Sequence, residues 1–132
     1  MPNSVRPFLM FQGNNGSAAL DFYQSVFPNA KLESVERYGE GDGPPPGSLK
    51  IAHLTIAGQT IMLHDTPITH AFTFTPSISL FVECGSEEEL RRLATTLKEG
   101  GAELMPIANY GFSTLFAWVA DRFGVSWQIN LP

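Results

Sequence analysis

Cysteine is nearly absent: Cys84 is the only one in 132 residues. A lone thiol closes no internal disulfide, which suits a reducing cytosol and leaves stability to the core. Basic residues are also scarce, with Lys and Arg numbering 8 against 13 Asp and Glu for a net charge of −5, and they form no cluster. The electrostatic footprint of a nucleic-acid or anionic-membrane binder is therefore missing. No apolar run is long enough to span a bilayer. The opening "MPNSVRPFLM" has no basic stretch leading into an apolar one, so no secretory leader is expected. A soluble cytoplasmic protein, with neither nucleic acid nor membrane as partner, is the expectation.

Several catalytic signatures are missing as well. The three His show neither HxxxH nor HExxH spacing, so the helical zinc motifs are absent. Gly39 to Gly47 holds no GxxxxGK[ST], and Pro44, Pro45 and Pro46 remove three backbone donors from it. There is no GxSxG nucleophile elbow. Glu83 and Glu87 flank Cys84 and would raise its pKa, which argues against a nucleophilic thiol.

What the chain does have is a 43% apolar composition and ten Phe, enough for one domain with an ordinary core. Its pattern occurs twice. Val5 to Phe11 reads as a strand and Ala18 to Phe27 as a helix capped by Asn15 or Ser17. Lys31 to Arg37, Leu49 to Ile56 and Gln59 to His64 read as strands, the last two joined by the Ala57-Gly58 turn. "YGEGDGPPPGS" should be a mobile loop. Ser77 to Glu83 then begins the second round. Ser86 to Lys98 is a helix with a Ser86/Glu89 capping box and a stripe of Leu90, Leu93, Ala94 and Leu97. Glu103 to Met105 is a short strand, Pro106 to Ser113 a loop, and Thr114 to Ala120 pairs with Val125 to Leu131. The second helix begins about 70 positions after the first, a modular repeat.

The expected architecture is α+β, with two βαβββ modules. Module one covers about 4–65, a linker 66–76 and module two 77–132, all within one domain. Strand alternation gives each sheet one face for its helix and one without. Two such helix-free faces, curling together, would form a half-open barrel around a cup. In the closing strand Trp127 and Ile129 take one face while Ser126, Gln128 and Asn130 take the other. That amide face either meets water or lines the cup.

"GNNGSAALDFYQSVFPNAKLE", "AGQTIMLHD" and "DRFGVSWQINLP" together resemble the vicinal oxygen chelate superfamily (the glyoxalase/bleomycin resistance/dioxygenase fold), in its PhnB-like form. Proteins of that form also carry the label demethylubiquinone methyltransferase-like. The resemblance implies the two-module half-open barrel, often as a homodimer, with four metal ligands in the cup of metal-using members. Carried over by motif, those four places are Phe8, His53, Ser77 and Gln128. Phe8 cannot ligate a metal, Ser77 is a poor ligand and Gln128 replaces a Glu. Only His53 is a good ligand, and a resident divalent ion needs about three or four such donors. No metal and no cofactor are therefore expected.

The first reading is a metal-free cup for an unknown small molecule, lined by His53, Gln128, Ser77, Phe8, Tyr110 and Trp118, with His53 the candidate general base. The alternatives are a metal-dependent lyase, isomerase or dioxygenase with an unusual ligand set, and a self-associating, non-catalytic protein. Tyr110, in the lid-like "NYGFS", offers a hydroxyl. Glu83 sits at the expected rim, and Arg37 and Lys50 could meet an anionic group or simply face solvent. His64-Asp65 reads as a cap or turn, and His70 as a solvent or dimer contact. The linker "HAFTFTP" is the expected dimer contact. A methyl donor derived from a nucleotide normally needs a doubly wound sheet with a Gly-rich first loop, which this layout does not provide.

Overall fold

A computed structural model describes residues 1–132. The chain divides into two compact units, Met1–Ala71 and Phe72–Pro132.

Unit one contains β1 (Phe8–Phe11), α1 (Gly16–Val26), β2 (Lys31–Arg37), β3 (Leu49–Ile56) and β4 (Gln59–Asp65). The sheet order is β1-β4-β3-β2, with β1 parallel to β4 and the remaining pairs antiparallel. Helix α1 lies against β3 and β4. Its Ala19, Leu20, Tyr23 and Val26 are buried together with Leu9, Phe11, Leu54, Ile61 and Leu63 from the strands. The β3–β4 hairpin closes on Ala57 and Gly58, with φ of 48° and 85°. Two successive left-handed residues make a type I′ turn, whose twist matches that of the strands.

Unit two contains β5 (Leu80–Glu83), α2 (Glu87–Lys98), β6 (Ala102–Ala108), β7 (Leu115–Ala120) and β8 (Ser126–Leu131). Its sheet order, β5-β8-β7-β6, repeats that of unit one, and β5 runs parallel to β8. Leu90, Leu93, Ala94 and Leu97 of α2 pack on Trp127, Ile129 and Val119. Both units are therefore βαβββ, as the repeated pattern predicts. No helix is long and apolar enough to cross a membrane.

Several boundaries differ from expectation. β1 begins at Phe8 rather than Val5, and α1 at Gly16 rather than Ala18. β5 begins at Leu80, so Ser77 lies ahead of the strand, exposed, with its hydroxyl 2.7 Å from that of Thr75. Strand β6 runs on through Pro106 to Ala108, where a loop was expected. Proline lacks a ladder donor and is tolerated on edge strands or at bulges. Here β6 is the edge, and its register with β7 shifts between Met105 and Ala108. The Gly- and Pro-rich loop is tied down at its base. Gly47 N donates to Tyr38 O, and Arg37 Nη1 donates to both Gly47 O and Ser17 Oγ. Arg37 is thus engaged within unit one.

Candidate functional site

Each sheet turns one face away from its helix, and cross-strand register fixes what that face carries. In unit one, Phe8, Met62, His53 and Ser34 lie in one row across β1, β4, β3 and β2. Phe8 is 52% exposed, and its ring lies 5.7 Å from that of His64. His53 is half-buried, with Nδ1 3.0 Å from Ser34 Oγ. Arg6, Glu33, Ser34, His53 and Thr60 line a shallow, mostly polar depression of about 420 Å³. A second hollow of about 390 Å³ lies where Gly13 and Asn14 meet Pro44, Pro45 and the 65–69 segment.

At the base of that second hollow is Asp65, only 3% exposed. Its Oδ1 accepts from Gly16 N and its Oδ2 from Leu49 N, both at 2.7 Å. Asp65 thus caps α1, the role expected of the His64-Asp65 pair. A Cβ on residue 16 would come within 2.6 Å of the Asp65 carboxylate, so only glycine fits there. His64 bonds Lys50 O through Nδ1. The His70 amide donates to Gln12 Oε1, and its ring lies 3.3 Å from Thr66 Oγ1.

Unit two has the more distinctive face. Phe81, Gln128, Trp118 and Met105 form one row across β5, β8, β7 and β6, and Glu83, Asn130, Phe116 and Ala108 form the next. The segment between β6 and β7 adds Tyr110 and Phe112. Their rings stack at 6.3 Å with a 14° tilt, and both meet Phe116 edge-on. Offset and edge-to-face contacts of this kind suit the ring quadrupole. Phe81, 6.5 Å from Phe116, remains 54% exposed and Phe112 63%.

The polar groups between these rings are bonded largely to one another. Gln128 Nε2 donates to Ser79 Oγ, and Trp118 Nε1 donates to Ser126 Oγ. The serine beside Gln128 is therefore Ser79; Ser77, the place suggested by resemblance, lies ahead of β5. The Tyr110 hydroxyl donates to Pro106 O rather than standing free. Asn130 Nδ2 donates to Glu83 Oε2 at 3.1 Å, while Asn130 Oδ1 is buried without a hydrogen-bond partner. Sequence reasoning placed Asn130 on this face but did not single it out. Its signal was the alternation of Ser126, Gln128 and Asn130 against Trp127 and Ile129.

Asp121, also overlooked, is 2% exposed and closes the β7–β8 turn. It accepts from Phe123 N, Val125 N and Trp127 Nε1. Cys84 is buried, and its thiol is pushed up from 9.0 to about 11. Loss of solvation is the main cause, and the charges of Glu89 and Glu83 add to it. Glu89, one helical turn inside α2, acts there rather than the expected Glu87. No three His, Cys, Asp or Glu side chains converge in an arrangement that could hold a metal ion.

The repeated βαβββ topology is matched by comparison with known proteins. Residues 3–130 match the family described as 3-demethylubiquinone-9 3-methyltransferase. The chain belongs to that family. A Bacillus cereus protein described as a putative 3-demethylubiquinone-9 3-methyltransferase, PhnB protein, is 40% identical, with a TM-score of 0.92 over 98% of this chain and 100% of that one. Protein YjdN of Escherichia coli (strain K12) is 27% identical, over 96% of this chain and 94% of its own length. A glyoxylase/bleomycin resistance protein/dioxygenase domain from Frankia sp. EAN1pec, 18% identical, aligns with a TM-score of 0.67 over 99% of this chain and 92% of that one. That last likeness concerns fold alone. This PhnB-like chain thus has the two-module fold of that glyoxylase/bleomycin resistance protein/dioxygenase domain.

Proposed function

We propose that this PhnB-like protein binds a small, largely apolar molecule without a resident metal ion. The observation that carries the reading is the helix-free face of unit two. There Phe81, Tyr110 and Phe112 stay exposed around half-buried and buried amides. Exposed rings grouped around a few placed polar atoms are what a small-molecule site requires. Gln128, Trp118 and Tyr110 belong to that face. In unit one, His53 and Phe8 are the candidate contacts, beside the depression lined by Arg6 and Ser34.

The donor chemistry supports the metal-free reading. Along the Phe8–Met62–His53–Ser34 row, imidazole is the one strong metal ligand, and on the β5–β8 face Gln128 and Ser79 offer neutral oxygens, leaving Glu83, bonded to Asn130, as the one carboxylate. A divalent ion favours anionic or imidazole donors.

The methyl donor implied by the family's description also finds a poor fit. A nucleotide-derived methyl donor is normally received by a Gly-rich loop after the first strand of a doubly wound parallel sheet, whereas each unit here is a four-stranded mixed sheet with one parallel pair.

The test is native mass spectrometry with metal analysis of protein purified without chelator. A small molecule is expected to co-purify and to be lost in Phe81→Ala, with metal well below stoichiometric. About one ion per chain, released by His53→Ala, would overturn the reading. So would a metabolite panel in which nothing shifts the amide resonances of β5, β7 and β8.

A further inference from the structure

We propose that Asn15 is a site of spontaneous deamidation whose rate is controlled by the Asp65 carboxylate at the end of β4. This modification is independent of any ligand.

Asn15-Gly16 is the one Asn-Gly step in the chain. Such a step is labile because glycine sets no Cβ in the way of ring closure. The main-chain nitrogen of Gly16, having lost its proton to solvent base, attacks Cγ of Asn15. A C–N bond forms, the Cγ–Nδ2 bond breaks, and the side-chain amide leaves as ammonia. Water then opens the five-membered imide at one of its two carbonyls. The product is aspartate or isoaspartate, and water is the only other reactant.

The fold itself demands the labile step. A Cβ on residue 16 would come within 2.6 Å of the Asp65 carboxylate, so glycine must follow Asn15. The same carboxylate restrains the chemistry. Gly16 is buried, and its nitrogen donates to Asp65 Oδ1 at 2.7 Å. The attacking atom is therefore engaged, and the adjacent negative charge opposes loss of its proton. Asn15 has ψ of −4°, and its carbonyl accepts from Ala19 N at 2.9 Å. Ring closure turns the Asn15-Gly16 peptide about ψ, which breaks both bonds together. Asn15 Nδ2 is held as well, donating to Gln12 O at 3.1 Å. The Asn15 side chain is otherwise exposed, so water has access to it. The reaction thus awaits a local opening of the first turn of α1. Its rate in the folded protein is the unfolded-chain rate multiplied by the population of that open turn. Isoaspartate adds one carbon to the main chain between residues 15 and 16 and one negative charge, so the turn does not close again as before.

The experiment follows Asn15 by peptide mass mapping and the Gly16 amide by hydrogen exchange, at neutral pH and physiological temperature. Asn15 should convert at least about tenfold more slowly in native buffer than in denaturing urea, because the open turn is a minor population. In urea below the unfolding transition, conversion of Asn15 and exchange of Gly16 should rise in proportion. Asp65→Asn, which removes the charge and leaves one amide without its acceptor, should raise both native rates by the same factor. Asn15→Ser should abolish the mass change in this peptide. Equal conversion in native and denatured protein overturns the proposal. So does faster Gly16 exchange with no gain in Asn15 conversion, and the urea series reads that outcome on the wild type even where Asp65→Asn fails to fold. A mass change that persists in Asn15→Ser places the reaction at Asn14 and overturns the proposal too.

Discussion

Cys84 illustrates how a side chain can be chemically silent for reasons the sequence only partly reveals. The flanking acids were visible, but the larger cause is burial, which depends on tertiary packing. Its backbone amide is bonded to Asn130 O at 2.7 Å, extending the β5–β8 pairing beyond the strand. With its pKa raised from 9.0 to about 11, the folded thiol keeps its proton where an unfolded one would release it. The unfolded state then binds fewer protons than the native state, so this residue's contribution to stability falls as pH rises from about 9 to 11. Urea midpoints measured across that window should decline more steeply for the wild type than for Cys84→Ala. The comparison isolates the thiol from Lys and Tyr, which titrate in both proteins. Native protein should also resist iodoacetamide at pH 8 and become reactive in urea. Rapid alkylation without denaturant would contradict the buried thiol.

At the scale of elements, the two helices are capped by different logics, which explains why one was easier to locate. Ser86 accepts from Glu89 N at 3.2 Å, while Glu89 Oε1 accepts from Gly85 N at 3.1 Å. All of that lies within five consecutive residues and can be read as a local pattern. The N-cap residue of α1 is Asn15, yet its side chain bonds Gln12 O and caps nothing. The cap comes from Asp65, 49 positions away. No local rule locates such a partner, so the start of α1 was placed two residues late. The same distinction explains β5 and β6. Alternation identified the strands, but where β5 begins depends on pairing with β8, and whether Pro106 is tolerated depends on β6 being an edge. Ser86→Ala should cost about 1 kcal/mol. Asn15→Ala should change stability by less than about 0.5 kcal/mol. Asp65→Ala, which orphans two amides, should cost roughly 2–4 kcal/mol. Equilibrium unfolding checks all three, and an Asn15→Ala loss larger than that of Asp65→Ala would refute the assignment.

For the whole molecule, duplication was the most legible property, because hydrophobic periodicity repeats even where individual residues do not. The amide face of β8 was equally legible, since alternation alone separates Gln128 and Asn130 from Trp127. Hydrogen-bond satisfaction on that face was not, because it depends on which neighbour each group finds across the sheet. Self-association lies beyond any single chain, but surface chemistry bears on it. Ile68, Phe72 and Ile78 are 62%, 61% and 75% exposed and fall within eleven successive positions around the expected linker. Large apolar side chains gathered in one stretch of sequence are a poor solvent surface and a common contact between subunits. We predict that two chains associate through this segment. Sedimentation velocity at about 10 μM should then give a dimer, since a subunit contact with a Kd near 1 μM is worth about 8 kcal/mol. Phe72→Glu should shift the boundary toward monomer, because burying an unpaired carboxylate at the contact opposes association. The same substitution should leave thermal unfolding at high dilution unchanged, where chains are already separate. A wild-type protein that sediments as a monomer across the micromolar range would refute the prediction. A dimer indifferent to Phe72→Glu would place the contact elsewhere.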